Sequence, residues 1–578
     1  MRRRVLLVSL LIASVPLASI AAGTHDCAAL AKLALPHARI DSAHVTAAGT
    51  FAPSDAKPGQ PLPAVFRNAP AFCRVQATLT PSSKSNIKAE VWLPLEGWNE
   101  RFRGVGNGGF AGYINHDGLA TAIDEGYASA STDTGHDRQD ARWALGHPQK
   151  ILDYGYRAMH AMTVLAKAVM QRFYGTPSRY SYFAGCSNGG RQALMEAQRY
   201  PADYDGIIAG DPAADWTHLM ANALGVAQHA SSPTGYIPPA KLPIITHAAL
   251  AACDAGDGVV DGVIGDPPHC RFNPDVLLCK RGSDPDGCLT ASQVATVRAA
   301  YDGTRDHAGK PIFHGLMPGA EDVANGGWGV WITGMQRGKS AYEFFVDNYF
   351  RNMVYHNRKW QLAGANIDAA LALAQRRTGM AMNAVDPDLQ PFFARRGKLI
   401  LYHGWSDPAI SPLATVHYFD AVTKTLGRHT ASASMRLYVV PGMLHCNGGP
   451  GTNDFGQPGT TASKHDPQHD MFDALVQWVE QGIPPAAIIA TKYTDDDPGR
   501  PVVMTRPLCP WPQVARYDGH GNTNSATSFT CAATRAIRGP GTLAPLGAAR
   551  RDQPSGTGTS IRSLFQTGHP VANHATPR

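Results

Sequence analysis

A serine in a short glycine-rich motif has the clearest catalytic context in this sequence. Gly185-Cys186-Ser187-Asn188-Gly189 matches the pattern Gly-x-Ser-x-Gly. The motif follows a strand-like run at 180–184 and opens a helix-like run at 190–195. A tight turn between a strand and a helix thrusts a serine hydroxyl out above a sheet, and small neighbours relieve crowding there. An ordinary glycine-rich loop is the alternative, but this context predicts that Ser187 is a nucleophile.

A nucleophilic serine needs a general base and a carboxylate that orients the base. A predicted strand at 398–402 runs towards Asp407, and another at 435–440 runs towards His445. Sites in α/β sheets lie just beyond the carboxyl ends of strands, and the chain order serine, aspartate, histidine is an established order for such a triad. His403 is a competing base, but it precedes Asp407 and would break this order. We therefore predict that Ser187, Asp407 and His445 are catalytic.

Two cysteines lie directly beside these residues. Cys186 precedes the predicted nucleophile, and Cys446 follows the predicted base. If Ser187 and His445 meet in space, their neighbours come close enough for a disulfide, which requires Cα atoms about 4.4–6.8 Å apart. The alternative is that the two cysteines pair elsewhere in the chain.

Acyl transfer also needs donors for an oxyanion. The backbone N–H of Asn188, the residue after the nucleophile, is one expected donor. A second is expected from the loop at 106–110, which follows the predicted strand at 102–105. Its glycines let backbone amides approach a substrate oxygen, and we favour Gly109. A plain glycine turn is the alternative.

The elements around these motifs alternate in a way that is typical of an α/β fold. Further strands are predicted at 87–93, 181–184 and 206–209, and helices at 156–173, 189–199 and 471–481. The alternation breaks down at 213–389, which we interpret as an inserted domain between a first part at 22–212 and a second part at 390–536. The segment 537–578 is rich in Gly, Pro, Ser, Thr and Arg, and we expect it to be a disordered tail.

The composition excludes several classes of protein. Of the 578 residues, 44% are hydrophobic and only 17% are charged, which excludes a mainly disordered chain. The 58 glycines follow no Gly-X-Y period, which excludes collagen. The formal net charge is +6, and three of these charges lie in the first four residues. We therefore expect no nucleic-acid partner.

The first residues are typical of a secretory signal. Three arginines precede an apolar run at 5–17, and Ser19 and Ala21 offer small residues for cleavage, which predicts a signal peptide at 1–21. A retained anchor is the alternative, but the run is short for a spanning helix. Ten cysteines agree with export because oxidising compartments preserve disulfides. We expect a secreted or periplasmic protein that has no membrane contact after signal removal.

Three aspartates lie within eight residues after Cys253. Asp254, Asp257 and Asp261 are separated by glycines, and such a loop can surround a hard cation with carboxylate and carbonyl oxygens. The spacing is not that of an EF-hand, because no glutamate stands at the twelfth position. A solvated acidic turn is the alternative.

The motifs Gly-Cys-Ser-x-Gly-Gly-Arg, Ser-Asp-Pro and His-Cys together resemble the tannase and feruloyl esterase family, which also includes mono(2-hydroxyethyl) terephthalate hydrolases. The resemblance extends from about Cys27 to Cys531. It implies an α/β-hydrolase fold with a large inserted lid at 213–389. It also implies five disulfides, which are Cys27–Cys73, Cys186–Cys446, Cys253–Cys270, Cys279–Cys288 and Cys509–Cys531.

The same resemblance implies a structural calcium ion in the lid, with no organic cofactor. Its ligands would be the side chains of Asp254, Asp257 and Asp261 and the carbonyls of Val259 and Val263. The lid also contains many aromatic residues, which could form an acyl pocket but are more often core. Arg337, Arg376 and Arg377 could meet an acidic substrate group or could simply be surface charges.

These observations favour a secreted serine esterase that cleaves esters of aromatic acids. The expected substrates are feruloyl, other hydroxycinnamoyl or galloyl esters, either as small molecules or as decorations of a plant polymer. The alternative within esterases is hydrolysis of mono(2-hydroxyethyl) terephthalate. A serine peptidase and a calcium-stabilised binding module that lacks activity are less favoured.

Overall fold

The computed structural model describes residues 26–534, apart from residues 55, 57–59, 283 and 461–463. The predicted signal peptide at 1–21 and the predicted tail at 537–578 lie outside the described residues. Within the described part of the chain, no helix is both long enough and apolar enough to span a membrane.

A large mixed sheet forms the centre of the structure. Its nine strands lie in the order β1-β2-β3-β5-β4-β6-β7-β8-β9. The strands β1 to β3 and the β3–β5 pair are antiparallel, while all pairs from β5 to β9 are parallel. The nine strands are β1 Ala38–Thr46, β2 Phe72–Leu79, β3 Ile87–Pro94, β4 Arg101–Val105, β5 Ala128–Thr132, β6 Tyr180–Cys186, β7 Gly206–Gly210, β8 Lys398–Gly404 and β9 Met435–Val440. This architecture bears out the predicted α/β fold.

All six predicted strands are present, and their bounds differ from the prediction by at most two residues at either end. The sequence did not indicate β1, β2 or β5. The residues of β5 are only alanine, serine and threonine, so it lacks the bulky β-branched and aromatic run that marks a strand. It is nevertheless fully buried, and its position between two neighbours supplies its hydrogen bonds. Two further hairpins follow the sheet, β10 Ile488–Tyr493 with β11 Val502–Leu508, and β12 Gln513–Tyr517 with β13 Phe529–Ala533.

Helices cover both faces of the sheet. The α-helices are α1 Ala64–Asn68, α2 His116–Asp124, α3 Pro148–Leu152, α4 Ala158–Tyr174, α5 Asn188–Arg199, α6 Trp216–Ala230, α7 Leu242–Cys253, α8 Ala291–Asp302, α9 Trp328–Trp331, α10 Ala341–Asn348, α11 Ile367–Ala374, α12 Met380–Met382, α13 Gln390–Phe393, α14 Pro412–Leu426, α15 Arg428–Ser434 and α16 Met471–Gln481. One core joins α4, α5 and α14 to the sheet, and a second joins α2 and α16 to its other face.

The predicted insertion lies between the neighbouring parallel strands β7 and β8. Its helices share a core with Phe110, Trp143 and Tyr154, so the insertion packs on loops that follow β4 and β5. The last part of the predicted lid differs from the rest, because Ala384 and Leu389 pack in the core beside the sheet. All ten cysteines form the five pairs that the resemblance implied.

Candidate active site

Ser187 occupies the sharp turn between β6 and α5. Its backbone has φ 65° and ψ −122°, a conformation that side-chain-bearing residues rarely adopt. Such strain is retained only where the surroundings impose it. A Cβ at Gly185 would lie 2.6 Å from the carbonyl oxygen of Gly189, so a larger residue does not fit there. The motif therefore holds the half-buried Ser187 at the carboxyl end of the sheet.

Asp407 and His445 meet beyond the ends of β8 and β9. His445 Nδ1 lies 2.8 Å from Asp407 Oδ2, and the side chain of His445 is 10% exposed. The other carboxylate oxygen, Oδ1, accepts the backbone N–H groups of Ala409 and Ile410 at 2.7 and 3.0 Å. These two bonds fix the carboxylate, and the pairing of Nδ1 leaves Nε2 as the ring nitrogen available to act as a base.

Charge pairing governs the protonation of this dyad. Although burial alone raises the pKa of Asp407, the attraction of His445 and hydrogen bonds from His403 and His445 hold it well below its ordinary value. Burial lowers the pKa of His445, but the charge of Asp407 and its hydrogen bond outweigh burial and leave that pKa raised. Asp407 therefore stays ionised and stabilises a protonated imidazole.

A disulfide joins the serine turn to the histidine loop. Cys186 and Cys446 are bonded, and their Cα atoms are 5.9 Å apart. Because each cysteine is the immediate neighbour of a candidate catalytic residue, the bridge holds Ser187 and His445 in adjacent loops. The serine turn and the Asp407–His445 pair therefore lie in neighbouring loops at one edge of the sheet.

His403 also contacts the dyad, although it does not take the place of the base. Its Nε2 lies 3.1 Å from Asp407 Oδ2 and 3.1 Å from the Ile410 carbonyl oxygen, and its Nδ1 lies 2.7 Å from Thr415 Oγ1. The ring is fully buried, and it contacts the same carboxylate oxygen of Asp407 as His445 does.

A second buried carboxylate, Asp211, was not singled out in the sequence. It directly follows β7, and its Oδ1 accepts the N–H of Gly404 at 3.0 Å while Oδ2 accepts the N–H of Cys446. Oδ2 is also 4.0 Å from His445 Nδ1. Burial raises the pKa of Asp211 to about 6, with a further contribution from the charge of Asp407. The rule that sites follow parallel strands would have selected this residue.

The two predicted oxyanion donors lie in neighbouring segments, because the side chain of Asn188 donates to the Asn107 carbonyl oxygen in the loop after β4 at 3.0 Å. Asn188 is the first residue of α5, and the N–H groups of a helix's first turn have no partner within the helix. In the loop after β4, the amides of Gly106, Asn107 and Gly108 are bonded to Ala184 O, Gln192 Oε1 and Tyr113 Oη. No residue that the structure describes accepts the amide of Gly109, which makes it the available donor of these four.

Two buried side chains bind the carbonyl groups of this loop, and no sequence pattern indicated either of them. Tyr154 donates its hydroxyl to the Gly109 carbonyl at 2.8 Å. His136 Nε2 lies 2.6 Å from the Phe110 carbonyl, which makes Nε2 a donor. Burial lowers the pKa of His136 to about 4, so the ring stays neutral near pH 7. These bonds fix the planes of the peptides on either side of Phe110.

Aromatic side chains form one wall beside these groups. The Trp331 ring meets the His445 ring edge to face at 5.1 Å and lies parallel to the Phe345 ring at 6.0 Å. Phe345 also packs 5.3 Å from Phe110, and its ring reaches within 3.8 Å of the position of a Cβ on Gly109. We call Phe110, Trp331 and Phe345 the aromatic wall. Arg337, Arg376 and Arg377 are exposed in the insertion.

The aspartate loop has a composition that fits a cation. Asp254 accepts the amides of Asp261 and Gly262, and Asp257 and Asp261 accept those of Val259 and Val263. Burial raises the pKa of Asp257 to about 6, and the nearby charges of Asp261 and Asp254 add to this. Arg506 pairs with Asp261 at 2.6 Å. Three carboxylates beside one arginine leave negative charge that a cation would neutralise, so these residues fit a calcium ion.

Comparisons with known proteins give matches over most of the chain. The family described as "Tannase and feruloyl esterase" matches residues 73–532. An "uncharacterized esterase" of Xanthomonas campestris pv. campestris is 41% identical over 538 residues, covering 88% of this chain and 92% of the relative. A "probable feruloyl esterase B-2" of Aspergillus terreus is 32% identical over 465 residues, covering 79% and 86%. The crystal structure of feruloyl esterase B from Aspergillus oryzae superposes with a TM-score of 0.79 at 29% identity, covering 88% of this chain and 100% of the other.

Proposed function

Because the chain belongs to the tannase and feruloyl esterase family of carboxylic-ester hydrolases, we propose that it cleaves esters of aromatic acids with Ser187, His445 and Asp407 as its catalytic triad. The observation that carries this assignment is the buried Asp407–His445 pair, at 2.8 Å, joined by the Cys186–Cys446 disulfide to the strained serine turn. Feruloyl, other hydroxycinnamoyl and galloyl esters are the proposed substrate classes.

The reaction begins with proton transfer from Ser187 to His445. Nε2 of His445 takes the proton as Oγ of Ser187 attacks the ester carbonyl carbon, and Asp407 stabilises the imidazolium that forms. The carbonyl oxygen becomes an oxyanion, which accepts hydrogen bonds from the amides of Asn188 and Gly109. His445 then gives the proton to the leaving alcohol, which leaves an acyl group on Ser187.

Water completes the cycle by the same route. His445 takes a proton from water, the resulting hydroxide attacks the acyl carbon, and the second oxyanion uses the same two amides. Its collapse releases the aromatic acid and returns the proton to Ser187. The aromatic wall supports the choice of acyl group, because flat rings pack well against the faces and edges of Trp331 and Phe345.

We assign a structural calcium ion to the loop with Asp254, Asp257 and Asp261. The carbonyl oxygens of Val259 and Val263 complete the proposed ligand set, and oxygen-only ligands suit this ion. When bound, the ion would neutralise the loop's charge and brace it. The loop carries the Cys253–Cys270 disulfide and contacts Arg506 of β11, so its role is to stabilise the packing of the insertion.

We also propose that the protein is exported, with residues 1–21 removed as a signal peptide. The five disulfides support this, because such bonds persist in oxidising compartments. Mass spectrometry of the protein recovered from its native host tests it. A first residue near Ala22 is expected, whereas an intact N-terminus in the cytoplasmic fraction would contradict export.

Product analysis tests the proposed activity. The protein is incubated with methyl ferulate, methyl gallate, chlorogenate and mono(2-hydroxyethyl) terephthalate, with the Ser187→Ala variant alongside. We expect serine-dependent release of ferulate, caffeate or gallate, and a loss of at least about 10³-fold in kcat for the variant. Exclusive release of terephthalate would instead establish the alternative esterase activity, and cleavage of amides without ester preference would favour a peptidase. Turnover by Ser187→Ala at the wild-type rate would refute the triad.

Chelation tests the ion separately from the chemistry. Treatment with EGTA should lower the midpoint of thermal unfolding, and added calcium should restore it. Asp254→Asn with Asp257→Asn should abolish this calcium response. An unfolding midpoint that is indifferent to EGTA and calcium would refute the proposed site.

A further inference from the structure

A polar groove of about 500 Å³ lies beside the aromatic wall. Asp140 and Arg142, in the loop after β5, line one side. Phe344 and Asp347, on α10, line the other. The two sides are joined by a hydrogen bond of 3.3 Å from the backbone N–H of Ala141 to the side chain of Asn348 on α10.

The groove begins one side chain away from the oxyanion loop. Phe344 is 43% exposed and lines the groove, while the next residue, Phe345, faces Gly109. The ring of Phe344 lies 5.4 Å from that of Phe345 and 6.3 Å from that of Phe110. Phe344 thus stands between the groove and the aromatic wall, which places the groove next to the insertion's side of the oxyanion loop.

The charges in the groove are unevenly paired. Asp140 binds Arg142 at 2.6 Å, and Asp347 binds Arg351 of the following turn. Arg358, which also lines the groove, is exposed and forms no hydrogen bond or ion pair with any residue that the structure describes. Three arginines thus face two aspartates, and the surplus positive charge is on the arginine whose guanidinium is available.

We propose that this groove binds the alcohol part of the ester when that part is a sugar chain carrying a carboxylate. The inference rests on the proposed function, because it extends the substrate of the same site. The aromatic wall beside Gly109 suits the flat acyl group, whereas the polar groove suits the hydrophilic alcohol. Arg358 offers a planar fork to a carboxylate, and Phe344 offers an exposed ring to a sugar face. The groove has the size of ordinary small-molecule sites.

Three substrates with the same acyl group separate these contributions. They are methyl ferulate, a feruloylated xylo-oligosaccharide that carries a glucuronic acid, and the same oligosaccharide with that acid methyl-esterified. Ferulate release gives kcat/KM for each. In low salt, kcat/KM of the wild type should be threefold or more higher on the acidic oligosaccharide than on its methyl-esterified form. Because salt screens exposed charges, about 0.5 M NaCl should largely remove this preference.

Two arginine variants locate the effect. Arg358→Gln should reduce the preference to about onefold and leave methyl ferulate unchanged. Arg376→Gln is the matched control, because Arg376 is an exposed arginine of the same insertion that does not line the groove, and it should keep the preference.

Several outcomes would overturn the proposal. The first is a wild type that cleaves methyl ferulate but has equal kcat/KM on the acidic and neutral oligosaccharides. The second is an Arg358→Gln variant whose kcat/KM falls equally on all three substrates. The third is an Arg376→Gln variant that loses the preference for the acidic oligosaccharide. A selective effect of Arg358→Gln on mono(2-hydroxyethyl) terephthalate would place the carboxylate on the acyl side and would also overturn it. No ferulate release from any of these substrates, together with no caffeate or gallate release in the product analysis, would instead refute the proposed function.

Discussion

The proposed catalytic residues and the residues proposed to surround a substrate come from two regions that are built in different ways. Ser187, Asp407 and His445 each follow a parallel strand, and the neighbouring buried groups pair with one another. Phe344, Phe345 and Arg358 lie in the insertion between β7 and β8, where aromatic and charged side chains are partly exposed. The sheet thus fixes the positions of the proposed triad, while the residues proposed to bind the rest of the substrate lie in a helical segment outside the sheet.

This contrast has a consequence for variants. Damage to the sheet-borne site should lower kcat for every ester, because each substrate uses the same nucleophile, base and oxyanion donors. Changes in the insertion should affect some esters more than others, and the effect should fall mainly on KM. A sheet variant that changes KM for one ester only, or an insertion variant that lowers kcat for every ester, would contradict this division between the two regions.

Among variants that leave the proposed triad intact, the largest effect is expected from breaking the bridge between the serine turn and the histidine loop. Cys186→Ser with Cys446→Ser should lower the free energy of unfolding by about 2–4 kcal/mol and reduce kcat on all esters by tenfold or more. The bridge closes a separation of 260 residues and holds both loops at once. Thermal unfolding and kcat are measured together.

The control is Cys279→Ser with Cys288→Ser, which removes a bridge of only 9 residues' separation in the insertion. This pair should cost less stability and spare kcat. Mass spectrometry verifies both serine substitutions in the Cys186/Cys446 double variant. If that variant keeps the wild-type kcat, the sheet holds the two loops in place without the bridge.

A second prediction concerns the support behind the oxyanion loop. Tyr154→Phe removes the hydroxyl that binds the Gly109 carbonyl, a bond worth about 1 kcal/mol. We expect kcat to fall about three- to tenfold on all esters, with KM nearly unchanged, because a loosened Gly109 amide stabilises the oxyanion less. Steady-state kinetics on methyl ferulate and one unrelated ester give both parameters.

Tyr438→Phe provides the matched control for that measurement. Tyr438 is also buried and also donates to a backbone carbonyl, that of Pro485, at 3.1 Å. It should lose similar stability while kcat is preserved. Equal kcat losses in the two tyrosine variants would mean that Tyr154 acts only through general stability.

The two regions also differ in how far the sequence predicts them. Ser187, Asp407 and His445 could be predicted because each lies just after a run that reads as a buried strand, and Asp211 obeys the same rule. Tyr154 and His136 could not, because they lie 45 and 26 positions from the carbonyls that they bind. Nothing in their local pattern indicates those contacts. The place of Phe345 and Arg358 likewise depends on how the helices of the insertion pack.

A variant of Phe345 tests whether the insertion affects KM for aromatic esters in particular. Phe345→Leu removes an aromatic face from the wall beside Gly109 while keeping an apolar side chain. KM for methyl ferulate should rise about threefold to tenfold, since an aromatic pair contributes about 0.5–1.5 kcal/mol beyond burial. Ethyl acetate has no ring to stack, so its kcat/KM should change little. An equal loss on both esters would assign Phe345 to the support of Gly109 rather than to substrate binding.

The smallest expected effect is a shift in pH dependence at Asp211. As the proposed base, His445 acts in its neutral form, so activity should be lost as pH falls through its pKa. Because that pKa is raised, the acidic limb should lie at a higher pH than an ordinary histidine would give. The charge of Asp211, whose Oδ2 lies 4.0 Å from His445 Nδ1, contributes to this rise in the pKa of His445. Asp211→Asn removes this charge and should move the limb of kcat/KM to lower pH, with thermal unfolding as the check on folding. An acidic limb that stays in place or moves to higher pH would show that Asp407 alone sets the protonation of His445. The charge pairing in the site would then involve only these two residues rather than groups at the ends of three strands.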